Sequence, residues 1–207
     1  MAQGTGGGAM SDVVVFLLLV WLFQRVLPPR GVVALLFYSA VGAAFIFSPW
    51  FNYWIMCLAP NASFPMAGLL LASVIGCILN KPLFRPVDWN TAWIFGAIAS
   101  LVLYPSALGL GAFDTYSLGW PWLFHSTSIL LFAGVALASA LLLWFGNRFG
   151  YLLLLANLSY LAGFQESTNL WDYILDPLFA AVSLVACLIA AVRGWTRRAG
   201  PSETTAR

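Results

Sequence analysis

Charge is what this chain has least of. Only 8% of its 207 residues are Asp, Glu, Lys or Arg, against about 25% in an ordinary soluble domain. A chain 62% hydrophobic cannot cover a water-facing surface with so few charges. No gap between apolar runs reaches about 20 residues, so no soluble domain fits between them. Strand alternation of the outer-membrane barrel type is missing too, which leaves helices as the elements able to satisfy their own backbone in lipid. The three cysteines, Cys57, Cys77 and Cys187, are an odd number at no metal-type spacing and read as small hydrophobes. Phosphate-binding glycine loops, zinc-helix signatures and nucleophile elbows are absent. No catalytic residue, metal site or cofactor is therefore assigned. No Asp, Glu, Lys or Arg falls near the middle of an apolar run, which argues against a proton relay or a voltage sensor. Basic residues are too few and too scattered for nucleic-acid binding.

What is present is a series of long apolar runs. A helix needs about 20 residues to cross the hydrocarbon, and roughly 17 suffice in a thin bilayer. Seven runs come near that length: 12–27, 31–48, 64–80, 90–110, 121–146, 149–164 and 174–195. The expected fold is an all-α, polytopic helical membrane protein of about seven transmembrane helices, or six if the first or sixth is not a full crossing. The expected organisation is a flexible lead over 1–11, one helical bundle over 12–195 and a basic tail over 196–207. The Gly-rich start lacks the basic region of a cleaved signal peptide.

Orientation follows from the cations. With seven crossings, Arg25 and Arg30, Lys81 and Arg85, Arg148, and the group Arg193, Arg197, Arg198 and Arg207 all fall on one side. Lys and Arg resist export, so that side is cytoplasmic, the N-terminus is out and the C-terminus in. Compact loops and this asymmetry point to a bacterial inner (plasma) membrane. The opposite loops, at 48–65, 109–121 and 164–177, carry no Lys or Arg. They are rich in the Trp, Tyr and Phe that favour headgroup level. The Asn61 sequon within them carries little weight so close to a membrane surface.

Three of the seven acidic residues crowd into "QESTNLWDYILDP" at 165–177. Asp176 before Pro177 has the form of an N-cap followed by a first-turn proline. Asn169 with Asp172 three residues on has the form of a second cap. Punctuation thus explains two of the three carboxylates. A sharper reading gathers Asp114, His125, Glu166, Asp172 and Asp176 into a polar pocket at the outer boundary. Such a pocket would take a divalent cation, a lipid headgroup amine or a basic patch on a partner.

Small residues repeat every four positions at Gly68, Ala72 and Gly76, at Ala92, Gly96 and Ser100, and at Gly134 and Ala138. In lipid such stripes let backbones approach closely. The first two stripes are expected to meet across the short 81–89 connection. Asn157, the deepest polar residue, is expected to hydrogen-bond to a neighbouring helix.

Two functions fit. The leading one is a non-enzymatic accessory or structural subunit of a cell-envelope membrane complex. It sits in the lipid bilayer and docks a larger membrane protein or envelope enzyme through its acidic, aromatic outer face. The other is a small-molecule or lipid transporter, or a lipid-modifying enzyme, built on the outward carboxylate pocket.

Overall fold

A computed structural model describes residues 7–26, 32–46, 48, 50, 61–110, 113–121 and 128–198. Among these residues there are eight α-helices, one 3₁₀ turn and no strand. The helices are α1 (Gly7–Val26), α2 (Val32–Ile46), α3 (Phe64–Ile78), α4 (Pro86–Ala107), α5 (Ser128–Trp144), α6 (Phe149–Leu161), α7 (Leu170–Ile174) and α8 (Pro177–Arg198). The 3₁₀ turn covers Tyr116–Gly119.

Local chemistry sets the starts. Ser63 caps α3 by accepting from the Met66 N–H at 3.3 Å. The Asp88 carboxylate reaches back to the Arg85 N–H at 2.8 Å over a first-turn proline, the reciprocal half of a capping box. Asn169 caps α7 through the Trp171 N–H at 2.9 Å. Ends are set by the backbone. Gly146 after α5 and Gly163 after α6 have φ of +66° and +62°, a region open to glycine at no steric cost. They stop both helices two or three residues before the apolar runs end.

Helix lengths therefore differ from the expected spans. α3 has 15 residues and α6 has 13, about 22 and 20 Å of rise, against a hydrocarbon core of roughly 30 Å. The run at 174–195 is broken. Leu175 is extended (φ −143°, ψ 127°), because Pro177 and the cap before it end any helix arriving from the N-terminal side. α7 is thus a separate turn. Beyond the break, Pro177–Trp195 is the one described helix segment that is both long and apolar enough to cross a membrane by itself. α1 begins at Gly7, inside the expected flexible lead.

The helices run alternately up and down. At one end, the loops at 79–85 and 145–148 are tied together. Arg85 donates to the Gly146 carbonyl and Arg148 to the Leu83 carbonyl. At the other end, Gln165 Nε2 donates to the Ala62 carbonyl at 2.8 Å and Asn169 Nδ2 to the Tyr116 carbonyl at 3.1 Å. α5 lies along α6, α4 along α8, and α1 along α3 and α2, with α3 also against α6. Between them sits a core of Leu69, Phe149, Leu153, Tyr173, Ile174 and Phe179, each fully buried. Tyr173 stacks on Phe64 with the rings 5° from parallel and meets Tyr160 edge-on.

The small-residue stripes pack, but not against each other. A Cβ at Gly68 would strike Leu152 of α6. One at Gly96 would strike Ser183 and Phe179 of α8, and one at Gly76 would press the Lys81 carbonyl of the following loop. Ala72 and Ser100 are buried, the latter donating to the Gly96 carbonyl at 2.5 Å. The expected α3–α4 meeting is thus replaced by α3 on α6 and α4 on α8, because the 79–85 loop is long enough to swing α4 onto the last helix. A Cβ at Gly134 would meet nothing within 4 Å among the described residues. Asn157 is buried, yet neither its oxygen nor its nitrogen has a partner among the described residues.

Candidate functional site

The hydrogen-bonded carboxylates collect at the two ends of the bundle. At the end holding the acidic segment, Asp176 is the most deeply engaged group, 1% exposed. Its Oδ1 accepts from the Phe179 N–H at 2.8 Å, capping α8. Its Oδ2 accepts from the Ser63 N–H at 2.8 Å and the Ser63 hydroxyl at 2.5 Å. Because Ser63 is itself the cap of α3, one carboxylate joins the N-termini of two helices that lie 113 residues apart in sequence. Both N-termini present positive dipole ends, which suits a shared acidic side chain.

Asp172 is half-buried and faces elsewhere. It accepts from the Tyr116 hydroxyl at 3.2 Å and from the Ser167 hydroxyl. Burial first, then the Asp172 charge and its hydrogen bond, together push the Tyr116 hydroxyl pKa up to about 12. A phenol held that firmly protonated serves as a donor, not a base. Asp172 also borders a cavity of about 190 Å³ together with Asn61, Tyr104 and Tyr116.

Asp114 is exposed and works locally. Its Oδ1 accepts from the Tyr116 N–H at 3.0 Å and the Ser117 N–H at 3.4 Å, starting the 3₁₀ turn. Glu166 is exposed. His125 lies outside the described residues. Of the five residues expected in one pocket, then, Asp114 and Asp172 share the neighbourhood of Tyr116, Asp176 lies beneath with Ser63, and Glu166 stands at the rim of the preceding loop. Among the described residues, no three His, Cys, Asp or Glu gather as a metal site.

Sequence reasoning missed the partners. Ser63 is followed by an apolar helix with Pro65 in its first turn, a legible cap signal, but nothing local says that it reaches Asp176. Tyr173 ties the loop together: its hydroxyl accepts from the Gln165 N–H at 3.0 Å and donates toward the Ser167 carbonyl at 3.1 Å. The Trp171 indole donates to the Thr115 carbonyl at 2.9 Å. With these contacts α7 becomes a buried plug under the acidic loop.

The opposite end has a second carboxylate hub. Asp88 is fully buried and accepts from Arg85 Nη2 at 3.1 Å, from Arg85 Nε at 3.2 Å and from the Arg148 N–H at 3.1 Å. Burial alone would raise its pKa. The Arg85 side chain and the Arg85 and Arg148 N–H groups outweigh that and hold it below the usual carboxylate value. Asn147 adds a 2.8 Å bond to the Thr91 hydroxyl. This is a structural clasp between two loops, and every atom of its carboxylate is in use.

No protein-family model matches the chain, and neither a curated protein nor a solved structure resembles it significantly.

Proposed function

We propose that the chain is a multi-pass helical membrane protein of a cell envelope, N-terminus out and C-terminus in, acting as a non-enzymatic accessory subunit. It docks a larger membrane protein or envelope enzyme through its outer face. The observation that carries the membrane reading is the state of α8. Its 19-residue apolar stretch has a mean hydropathy of 2.0 and is only 17% buried. A soluble protein's core helix of that composition would be covered. Leu101 of α4, Leu130 of α5 and Leu188 of α8 are about two-thirds exposed in the same manner, a surface suited to lipid.

The non-enzymatic part rests on where the carboxylates go. Asp88 and Asp176 are consumed in caps and loop clasps, and Asp172 is held by two hydroxyls. The docking part rests on the outer rim. Exposed Asp114 and Glu166 stand there among exposed Phe113, Trp120 and Phe164, an acidic, aromatic surface suited to a basic partner. In intact cells, a cysteine at Glu166 in a cysteine-free background should react with an impermeant maleimide, and one at Lys81 should not. A photo-crosslinker at Glu166 should capture one stoichiometric partner. Labelling of Lys81 from outside, or elution of the chain alone from mild detergent, overturns the reading.

One observation favours the alternative of a small-molecule or lipid handler: the cavity beside Asp172. That reading expects Asp172→Asn to abolish function with no loss of stability.

A further inference from the structure

Two cavities adjoin at the end of the bundle where the basic loops lie. The first, of about 390 Å³, is bordered by Gln24, Arg25, Asn80 and Lys81. The second, of about 380 Å³, is bordered by Leu18, Met66, Leu69, Leu70, Trp93 and Val182. Trp21, Arg25, Ser73 and Trp89 border both, so the two are the polar and apolar halves of one groove between α1, α3 and α4. Along α3 the lining runs from Met66 to Cys77, about 16 Å of helix rise. The polar half thus lies at the basic end, and the apolar half points toward the bundle's middle.

The polar half holds unused binding capacity. Gln24 is 7% exposed, and its amide nitrogen is buried with no partner among the described residues. A buried donor of this kind is normally satisfied. Arg25 lies over the Trp21 ring, 5.3 Å from its centroid, which orients the guanidinium without neutralising it. Among the described residues the one ion pair is Arg85–Asp88, so Arg25 and Lys81 have no carboxylate partner there. Among the described residues no Asp or Glu borders either half, so a headgroup ammonium finds no counter-charge there.

We propose that this groove binds one anionic phospholipid of the inner leaflet. Its phosphate meets Arg25, Lys81 and the Gln24 amide, and one acyl chain lies along Leu18, Trp93 and Val182. Basic pockets between membrane helices on the cytoplasmic side suit such headgroups. The assignment rests on the membrane reading above. The shared chemistry is a phosphate anion, and the test separates a lipid source from a soluble one.

The full chain, purified in neutral detergent, is examined by native mass spectrometry and thermal unfolding. Dioleoyl phosphatidylglycerol, dioleoyl phosphatidylcholine and inorganic phosphate are added separately. Retention of phosphatidylglycerol at least tenfold above phosphatidylcholine is expected, with no stabilisation by inorganic phosphate. Arg25→Gln with Lys81→Gln should lower that selectivity at least tenfold, while Glu166→Gln leaves it unchanged. Gln24→Leu should weaken phosphatidylglycerol retention yet keep or raise the melting temperature of the delipidated protein, a combination that a merely structural glutamine would not give. Ser73→Phe, at the waist of the groove, should block the lipid while the protein stays monodisperse. Equal retention of both lipids, or selectivity indifferent to the Arg25 and Lys81 changes, overturns the proposal. So does stabilisation by inorganic phosphate that matches the lipid and ignores Ser73→Phe. Release of the chain from membranes by alkaline carbonate would instead sink the membrane reading itself. Failure of selectivity in a protein that resists carbonate sinks the lipid site alone.

Discussion

Replacing Asp176 by Ala removes the single group that ties α3 to α8. The carboxylate accepts three hydrogen bonds, from the Ser63 N–H, the Ser63 hydroxyl and the Phe179 N–H. Losing the α8 cap costs about 1 kcal/mol. That figure covers the Phe179 N–H; the Ser63 N–H is also left buried without its acceptor, at about 1–3 kcal/mol. The Ser63 hydroxyl can rotate, so it adds little. The sum is about 2–4 kcal/mol, a large share of the roughly 5–15 kcal/mol that a folded domain commands. Asp172→Ala should cost far less, about 1 kcal/mol, because its two donors sit at a half-exposed rim where water can replace it. Asp176→Asn should fall between Ala and wild type. Its amide oxygen can serve the Phe179 N–H or the Ser63 N–H but not both, and its NH₂ then faces a donor. The assay is thermal or dodecyl-sulfate unfolding in mild detergent, followed by the fluorescence of the ten tryptophans. If Asp176→Ala is no more destabilising than Asp172→Ala or Glu166→Ala, the carboxylate does not join the two helices and the reasoning fails.

Other consequences follow from the same contacts. Gly96→Ala drives a methyl into Ser183 and Phe179 and should cost about 1–3 kcal/mol. Ser183→Gly should restore part of that loss in a double-mutant cycle, and strict additivity would show that α4 does not rest on α8 there. Asn157→Leu should keep or raise the unfolding temperature, because it removes a buried amide with no partner among the described residues; a loss above about 2 kcal/mol would show that the amide is bonded in solution. Asp88 has a lowered pKa when folded, so its contribution is present above the usual carboxylate range near 4 and disappears as the pH falls through its folded value. Between about pH 5 and pH 2.5, wild type should lose more stability than Asp88→Asn, and parallel curves would refute the clasp.

Much of the architecture is legible in one dimension. Apolar length and charge poverty call for helices, because only helices satisfy a backbone that has little polar surface to offer. The caps are local as well: Asp176–Pro177, Asn169 before α7 and the Pro86 start of α4 are written within four residues of where they act. So are the glycines that halt α5 and α6, although the apolar runs on either side conceal them and make the helices read two or three residues too long.

Partnership is what the linear order could not express. Ser63 and Asp176 are each a recognisable cap, yet their union depends on α3 and α8 starting at the same end of the bundle. Gly96 faces α8 and not α3 because a seven-residue loop leaves α4 free to choose its neighbour, and steric fit chooses the helix with Ser183 and Phe179. The carboxylates of 165–177 look like one cluster on paper. In space, the plug of α7 turns Asp172 up toward Tyr116 and sends Asp176 down to Ser63. In the linear sequence Arg25 and Lys81 are topology signals and Gln24 is silent; they border one groove because α1 packs on α3. Short-range hydrogen bonds and solvation energies are encoded by neighbours in sequence; close packing of helix on helix is decided by which surfaces fit, and that exists only once the chain has folded.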